Sequence, residues 1–371
     1  MCVRFDDENA GNRRLLMDRT VYTGCYGNEE DGQGVGVWRL DGATGALHHV
    51  QTAPVNSPSF VARHQNGRFL YAVCERDGFQ GTPDGAVASF AINSHDGTLT
   101  EIGKVRSHGT SACHLTVDPS GTHVIVTNYG NGRVAVFPIG ADGALGEATH
   151  VVQHEGRSTH PDRQHGPHAH YVMFDPSGKY VMVCDLGLDK VLIYHLDTET
   201  GHLSPADFPY AQISSGAGPR HMDFTPDGRF AYVVNEVGSS MSAFSWDADR
   251  GALVYVDTHT TIPVDFHENT SCAQVRVHPN GHFVYGSNRG HDSIAVFGID
   301  QGTGRLIPHG QASSGGKTPR NFTLTPDGAW LLAANQGSDT IVTFHVDAKT
   351  GALTEAGHVV HTNKPVCIVV V

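Results

Sequence analysis

The sequence predicts an all-β fold, a seven-bladed β-propeller with four antiparallel strands in each blade. Three observations predict it: a degenerate repeat of about fifty residues, strand-like alternation throughout, and an N-terminal unit that only the last residues of the chain complete. Each repeat carries a Pro-x-Gly or Asn-Gly turn followed by a strand. The turn glycines, spaced 54, 57, 50, 53 and 47 residues apart, are Gly67, Gly121, Gly178, Gly228, Gly281 and Gly328. Self-similarity at this period in a strand-rich chain is typical of a propeller.

The unit around Gly228 shows the four strands of one blade most clearly. They read RHMDFT, FAYVVNE, MSAFSWD and ALVYVDT, and short polar turns separate them. Alternation and the content of β-branched and aromatic residues favour strands over helices. In the PDG turn, Pro presets φ at the second position and Gly takes the positive φ that closes the hairpin.

The first unit lacks an inner strand. Its segment TVYTGCYGN aligns with FAYVVNEVG of the Gly228 unit, and GVGVWRLD and ALHHVQT supply its third and fourth strands. The segment PVCIVVV, residues 365–371, follows the last unit and is predicted to pair beside Val21. This pairing gives seven blades and closes the ring, which removes the free sheet edges that invite aggregation.

Composition indicates one domain, residues 19–371, with 44 glycines for turns and no charge-rich linker. Residues 1–18 are interpreted as a disordered N-terminal extension, with Met17 as a candidate natural start. The formal net charge of −13 argues against a nucleic-acid partner, because such a partner needs a clustered basic surface. The seven cysteines form no CxxC pair, and no segment reads as a secretory signal or a membrane span. We therefore expect a cytoplasmic protein.

Candidate functional residues can be found by aligning the six units on their turn glycines. Residues at the same offset from the glycine form a column of this alignment, and they should occupy equivalent places in their blades. Eight residues before the glycine, where the inner strand begins, stand Ser59, Cys113, His170, Arg220, Ala273 and Arg320. Eight residues after it, where the second strand ends, stand Glu75, Tyr129, Leu186, Glu236, Arg289 and Gln336, with Tyr26 as the equivalent in the first blade. These two strands are antiparallel, so both columns should line one mouth of the central channel.

The columns place three arginines, two glutamates and a histidine at that mouth, which makes it the candidate site. The alternative is that Arg and Glu pair across neighbouring blades as purely structural ion pairs. The arginines outnumber the acids, however, and a bound anion would neutralise the excess. The adjacent column, seven residues after the glycine, is rich in Asn and Asp, and we interpret it as structural because these residues bond local backbone at strand ends.

A histidine-rich segment in the fourth unit precedes the turn glycine Gly178. Its members are His154, His160, His165, His168 and His170. Histidines two residues apart on an extended segment share one face, which suits a proton-transfer pair or a metal. A metal needs a third ligand from another segment, so we expect His168 or His170 to be a polar pocket residue. No metal ligand is assigned and no cofactor is expected, although a divalent metal in the channel stays an open alternative.

The chain resembles the seven-bladed lactonase family, which includes cytosolic propeller-type 6-phosphogluconolactonases and fungal 3-carboxy-cis,cis-muconate lactonizing enzymes. The resemblance runs from about Thr20 to the end, and its most specific pieces are GPHAH, GPRHMDFTPDGRFAYVVNE and SNRGHDSIAVF. It implies a catalytic set that consists of His168 or His170, Arg220, Glu236 and Arg289. The further residues expected to bind substrate are Arg320, Glu75, Tyr129, Tyr26, Gln336 and His221.

These side chains suit lactone opening, which needs a base for water, a site for the oxyanion and recognition of an anionic substrate. Glu236 is the first choice for the base, although nearby arginines lower a carboxylate pKa, and His168 or His170 is its rival. No Gly-x-Ser-x-Gly motif supplies a serine nucleophile, so direct attack by water is expected.

The resemblance implies 6-phospho-D-glucono-1,5-lactone as substrate, and hence a role in carbohydrate metabolism through the pentose phosphate pathway. The alternatives are another lactone, a carboxymuconate cyclase that uses the same four residues, and a non-enzymatic scaffold propeller. The expected partner is a small anionic lactone, with no nucleic acid or membrane, and the protein is expected to be a monomer or a weak homo-oligomer.

Overall fold

The structure is a computed structural model that describes residues 17–371, so the predicted extension, residues 1–18, lies outside the described residues except for its last two. Seven separate four-stranded antiparallel sheets make up the described chain. Two short 3-10 helices interrupt the strand order, at Glu29–Asp31 and Phe79–Gly81. The predicted seven-bladed, all-β propeller is confirmed.

The strands are numbered β1 to β28 in chain order. Blade 1 contains β1 (Arg19–Cys25), β2 (Gly34–Leu40), β3 (Leu47–Pro54) and, innermost, β28 (Pro365–Val370). Blade 2 contains β4 (Pro58–Arg63), β5 (Phe69–Cys74), β6 (Ala86–Ile92) and β7 (Leu99–Arg106). Blade 3 contains β8 (Ala112–Val117), β9 (His123–Asn128), β10 (Arg133–Pro138) and β11 (His150–Gln153). Blade 4 contains β12 (Ala169–Phe174), β13 (Val181–Asp185), β14 (Lys190–Asp197) and β15 (His202–Gln212).

The remaining three blades follow the same order from the inside outward. Blade 5 contains β16 (Pro219–Phe224), β17 (Phe230–Asn235), β18 (Ser240–Asp247) and β19 (Ala252–Thr260). Blade 6 contains β20 (Ser271–Val277), β21 (Phe283–Arg289), β22 (Ser293–Ile299) and β23 (Leu306–Ser313). Blade 7 contains β24 (Pro319–Leu324), β25 (Trp330–Asn335), β26 (Thr340–Val346) and β27 (Leu353–His361).

In five of the seven blades, the turn between the third and fourth strands docks on an aromatic residue of the preceding blade. Gly304, at φ 73°, lies against Phe230, and a Cβ there would come within 2.3 Å of the ring. The Tyr232 hydroxyl donates to the Gly304 carbonyl at 2.9 Å. Only glycine allows this approach, so the glycine-rich turns fix the spacing between blades.

The ring closes as the sequence predicts. Strand β28 pairs antiparallel with β1, with Val21 opposite Val370 and Thr23 opposite Ile368. Val21 and Ile368 are buried in one apolar cluster with Leu332 of blade 7. The closing strand is therefore held both by its ladder and by packing against the neighbouring blade.

The innermost strand of each blade from 2 to 7 contains a bulge near its start. These strands are β4, β8, β12, β16, β20 and β24. In β12 the register jumps from Ala169 to Tyr171, and in β16 it jumps from Pro219 to His221. In five of these strands the residue left out of the ladder is the one eight positions before the turn glycine, for example His170 or Arg220. In β20 both Ala273, at that position, and Gln274 are left out. A bulge redirects a side chain, and here it turns that column toward the channel mouth.

We expect Ile368→Ala to lower the free energy of unfolding by about 2 to 5 kcal/mol, because it opens a cavity at the ring closure. Ile368 is 2% exposed, whereas Val359, on the outer strand of the adjacent blade, is 50% exposed. Val359→Ala should cost less than about 1 kcal/mol. Chemical denaturation of both variants measures this, and equal losses would contradict a special role for the closing strand.

Candidate active site

A cavity of about 260 Å³ opens at the mouth of the channel. Its lining residues are Glu75, Cys113, Tyr129, Arg163, His170, Glu236, Ser271, Arg289 and Arg320. Most of them belong to the two predicted columns, at the starts of inner strands and the ends of second strands. The alignment on turn glycines therefore brings together residues that are up to 245 positions apart, as Glu75 and Arg320 are.

Glu236 is the centre of an ionic cluster. Its Oε2 atom lies 2.8 Å from Arg220 Nε and 2.9 Å from a terminal nitrogen of Arg289, and its Oε1 atom lies 2.5 Å from a terminal nitrogen of Arg163. The Arg220 N–H is not aligned with the carboxylate, so that contact is an ion pair without a hydrogen bond. Arg220 and Arg289 also donate to the backbone carbonyls of Ala273 and Cys272, on β20.

The cluster sets the protonation states at the mouth. Burial raises the pKa of Glu236, but Arg289 and Arg220 outweigh it and hold that pKa well below its usual range. Burial, together with the neighbouring Arg289, lowers the pKa of Arg220 to about 9. Glu236 is thus ionised at neutral pH, and Arg220 is still a cation there.

A second network occupies the other side of the mouth. The Tyr26 hydroxyl donates to Glu75 Oε2 at 2.8 Å and accepts from an Arg320 terminal nitrogen at 2.8 Å. Burial is the main reason that the pKa of Tyr26 is raised, so the phenol keeps its proton. Four guanidinium groups, of Arg163, Arg220, Arg289 and Arg320, face two carboxylates, of Glu75 and Glu236, which leaves an excess of two positive charges in a chain of net charge −13.

The two predicted histidines occupy different positions. His168 stacks on Tyr129 at a centroid distance of 4.5 Å, and its Nδ1 donates to the Tyr129 carbonyl at 2.8 Å. His170 lines the cavity, and its buried Nδ1 has no hydrogen-bond partner among the described residues. Burial and the charge of Arg220 hold the pKa of His170 well below its usual range, so this imidazole is neutral at pH 7.

Three residues expected to bind substrate, Tyr26, His221 and Gln336, lie outside the cavity lining, and so do two of the expected catalytic residues, Arg220 and His168. His221 sits one layer deeper in the channel, where its Nε2 accepts from Arg220 at 3.1 Å and its Nδ1 donates to Gln274 Oε1 at 2.7 Å. It packs there against Tyr171, with 4.5 Å between the ring centroids. The backbone of Gln336 donates to the Thr318 carbonyl at 2.9 Å, and its side chain does not line the cavity.

Arg163 is a site residue that the columns miss, because it lies between blades. It belongs to residues 154–168, which join β11 to β12 and form the longest connection between described blades. The Gly121 to Gly178 spacing of 57 residues, the largest in the repeat, was the signal that could have found this insertion.

Two buried aspartates anchor this connection, which we call the 154–168 loop. Asp185 accepts from His154 Nδ1 at 2.7 Å and from the backbone N–H of His168 at 2.8 Å. Asp189 accepts from Gln164 Nε2 at 2.7 Å and from the Ser158 hydroxyl at 2.5 Å. Because both carboxylates are inaccessible to solvent, the loop backbone is firmly held beside the cavity.

Asparagines of the column seven residues after the turn glycine form hydrogen bonds with nearby backbone, as expected for a structural role. Asn128 donates to the Ser107 carbonyl, Asn288 to the Thr261 carbonyl and Asn335 to the Ser314 carbonyl, at 2.9 to 3.2 Å. These three residues therefore tie the ends of their second strands to the connection before their own blade, whereas Asn235 donates to the hydroxyls of Ser240 and Ser242.

Comparison with known proteins agrees with this fold. Residues 20–370 match the family described as lactonase, 7-bladed beta-propeller. A 6-phosphogluconolactonase of Bacillus subtilis is 35% identical over 310 residues, which cover 82% of this chain and 85% of the relative. A 6-phosphogluconolactonase of Pectobacterium carotovorum is 33% identical, over 83% and 85% of the two chains. The periplasmic gluconolactonase of Pseudomonas aeruginosa superposes with a TM-score of 0.90 at 30% identity, over 96% and 99%.

The chain therefore belongs to the lactonase family of seven-bladed β-propellers, and the expectations of this family and of a lactonase enzyme are confirmed. Within residues 17–371, no helix is long and apolar enough to cross a membrane. Within the same residues, no three His, Cys, Asp or Glu side chains are grouped as a metal site requires.

We expect Asp185→Ala to lower the free energy of unfolding by about 2 to 4 kcal/mol, because buried donors lose their acceptor. The 154–168 loop should then become sensitive to limited proteolysis. Asp162→Ala is the matched control, since Asp162 is exposed on the same loop, and it should change stability by less than about 0.5 kcal/mol. Unchanged proteolysis of the Asp185 variant would contradict the anchoring role.

Proposed function

We propose that the protein hydrolyses an anionic sugar lactone, with 6-phospho-D-glucono-1,5-lactone as the substrate. The observation that carries the proposal is the excess of two positive charges around a single cavity of about 260 Å³. A phosphate monoester carries nearly two negative charges at neutral pH and accepts bidentate bonds from guanidinium groups. The names of the Bacillus and Pectobacterium relatives support the same substrate.

In the proposed reaction, Glu236 accepts a proton from a water molecule that attacks the lactone carbonyl. Arg220 and Arg289 stabilise the negative charge that develops on the carbonyl oxygen, since both are held in place by β20 before substrate arrives. Collapse of the tetrahedral intermediate breaks the bond to the ring oxygen, which takes up a proton and leaves as a hydroxyl. The net change adds one water across the ester bond.

His170 is the second proton-transfer group in this proposal. It is neutral, it faces the cavity, and its ring lies within the field of Arg220 and Glu236. A neutral imidazole can accept a proton on one ring nitrogen and release the proton that the other nitrogen carries, so the ring ends neutral again. His170 would in this way relay a proton from the attacking water to the leaving ring oxygen.

The Tyr26, Glu75 and Arg320 network is proposed to bind the sugar hydroxyl groups. It combines a hydroxyl, a carboxylate and a guanidinium group, with the Tyr26 hydroxyl 2.8 Å from each of the other two. A polyhydroxylated ring offers both donors and acceptors, so a mixed network of this kind can orient it.

We also propose a cytoplasmic location and a reaction without a cofactor. The six described cysteines are all free and buried, which suits a reducing compartment. The partner is a small anionic lactone, and the protein acts as a monomer or a weak homo-oligomer.

The activity is tested by pH-stat titration with 6-phosphogluconolactone, gluconolactone and 3-carboxymuconate, each with and without EDTA and against the spontaneous rate. We expect selective acceleration of the phosphorylated lactone that EDTA does not abolish. Turnover of 3-carboxymuconate alone would instead show a cyclase, and no acceleration of any substrate would contradict the proposal.

Glu236→Gln should lower kcat by about 100-fold or more, because the base is lost. The amide also leaves Arg220 and Arg289 without a buried counterion, so circular dichroism must verify that the variant is folded at the assay temperature. Glu155→Gln, an exposed change on the 154–168 loop, should retain full activity. Unaltered kcat in a folded Glu236→Gln enzyme would exclude this base.

The kcat/KM for unphosphorylated gluconolactone should be independent of pH in the window around pH 6.5, where an unperturbed histidine titrates, because the pKa values of Glu236 and His170 both lie below their usual ranges. Glu236 then stays ionised and His170 stays neutral over this window. The measurement is kcat/KM against pH. A decrease centred near pH 6.5, where an unperturbed histidine titrates, would contradict both assignments.

A further inference from the structure

We propose that Arg163 recognises the substrate phosphate, and that the phosphate draws its guanidinium away from Glu236 and frees the Oε1 atom of that carboxylate to activate water. The inference rests on the proposed lactone hydrolysis and adds a coupling between recognition and chemistry. It also addresses a difficulty in the site, because a carboxylate paired with three arginines is a weak base.

Arg163 differs from the other two arginines of the cluster in exposure and in support. The side chains of Arg220 and Arg289 are 3% and 14% exposed, whereas that of Arg163 is 38% exposed. Arg220 and Arg289 each bond a backbone carbonyl of β20. The other bond from the Arg163 guanidinium goes to the Tyr129 hydroxyl at 3.2 Å, and a side-chain hydroxyl can turn to another partner.

The arginines also divide the two oxygens of Glu236 between them. Arg220 and Arg289 share Oε2, and Arg163 holds Oε1. Departure of Arg163 would therefore release one oxygen while the other stays fixed. The carboxylate would keep its orientation and gain a free lone pair toward the cavity, which general-base catalysis requires.

The anchoring of the 154–168 loop limits this exchange to the side chain. Gln164, next in sequence, is bonded to Asp189, and the backbone N–H of Arg163 donates to His160 Nδ1 at 3.2 Å. The backbone thus stays in place while the long side chain can swing from Glu236 toward a ligand in the cavity. A phosphate offers the guanidinium a bidentate partner of higher charge than one carboxylate oxygen.

The electrostatic consequence has a definite sign. Six charged or titratable side chains interact electrostatically with Glu236: those of Arg163 on the loop, His170 on β12, Arg220 on β16, Cys272 on β20, Arg289 on β21 and Arg320 on β24. Removing one cation and bringing in a dianion weakens the field that keeps Glu236 ionised, so its pKa rises toward the usual value. The bound substrate therefore makes its own base stronger.

The test compares kcat/KM of wild type, Arg163→Gln and Arg157→Gln on 6-phosphogluconolactone and on gluconolactone. Arg157 is an exposed arginine on the same loop and serves as the matched control. The kcat/KM of Arg163→Gln for the phosphorylated lactone should be about 10- to 100-fold below that of wild type, because this is the effect of losing one charge-assisted hydrogen bond. Its kcat/KM for gluconolactone should equal or exceed that of wild type. Equal losses on both substrates, or no loss, would overturn the recognition role.

The base activation has its own readout. On gluconolactone, the acid limb of kcat/KM should lie at higher pH in Arg163→Gln than in wild type, because Glu236 has lost one cation. An unshifted limb would show that Arg163 does not control the base.

A binding measurement separates this inference from the proposed function. By calorimetry, wild type and Arg157→Gln should bind 6-phosphogluconate more tightly than gluconate, and Arg163→Gln should lose that preference. If wild type hydrolyses neither lactone but shows this pattern, the hydrolysis proposal fails and the anion site stands. If Arg163→Gln keeps the preference, the inference fails, whatever wild type turns over.

Discussion

The pairing of β28 with β1 is the constraint on which the rest of the structure depends. Seven sheets can surround one axis only when the last strand of the chain completes the first sheet, and Val21 opposite Val370 fixes that register. A ring that is closed in this way has no freedom to widen at one blade. The positions of the inner strands at the channel mouth are therefore set to the precision of side-chain packing between blades.

A β-bulge that repeats in the inner strands places side chains of this rigid ring at the site. Each inner strand from β4 to β24 bulges near its start, and the extra residue is turned toward the mouth. The ends of the second strands approach the same opening. Residues as different as His170, Arg220 and Arg320 thus occupy equivalent places in their blades. The side chain at this position can differ from blade to blade while the fold stays the same.

Glu236 gives the mouth its electrostatic character. Without its carboxylate, Arg220 and Arg289 would be buried as unpaired cations, which is costly. With it, both arginines have a counterion at the channel mouth, and a net positive charge remains there for a ligand. The same pairing weakens Glu236 as a base, so stabilisation of the arginines and activation of water oppose each other within one side chain.

Sequence by itself determined the blade count, the closing strand and the two columns, because glycine turns and strand alternation are local signals that repeat at a fixed period. It thereby predicted that Glu75, Arg289 and Arg320 would meet, although they lie far apart in the chain. Only the tertiary structure decided that His221 lies a layer below the cavity and that Arg163 reaches Glu236. Arg163 lies in an insertion outside the repeat register, and where its loop folds depends on buried contacts with Asp185 and Asp189, which no local pattern encodes.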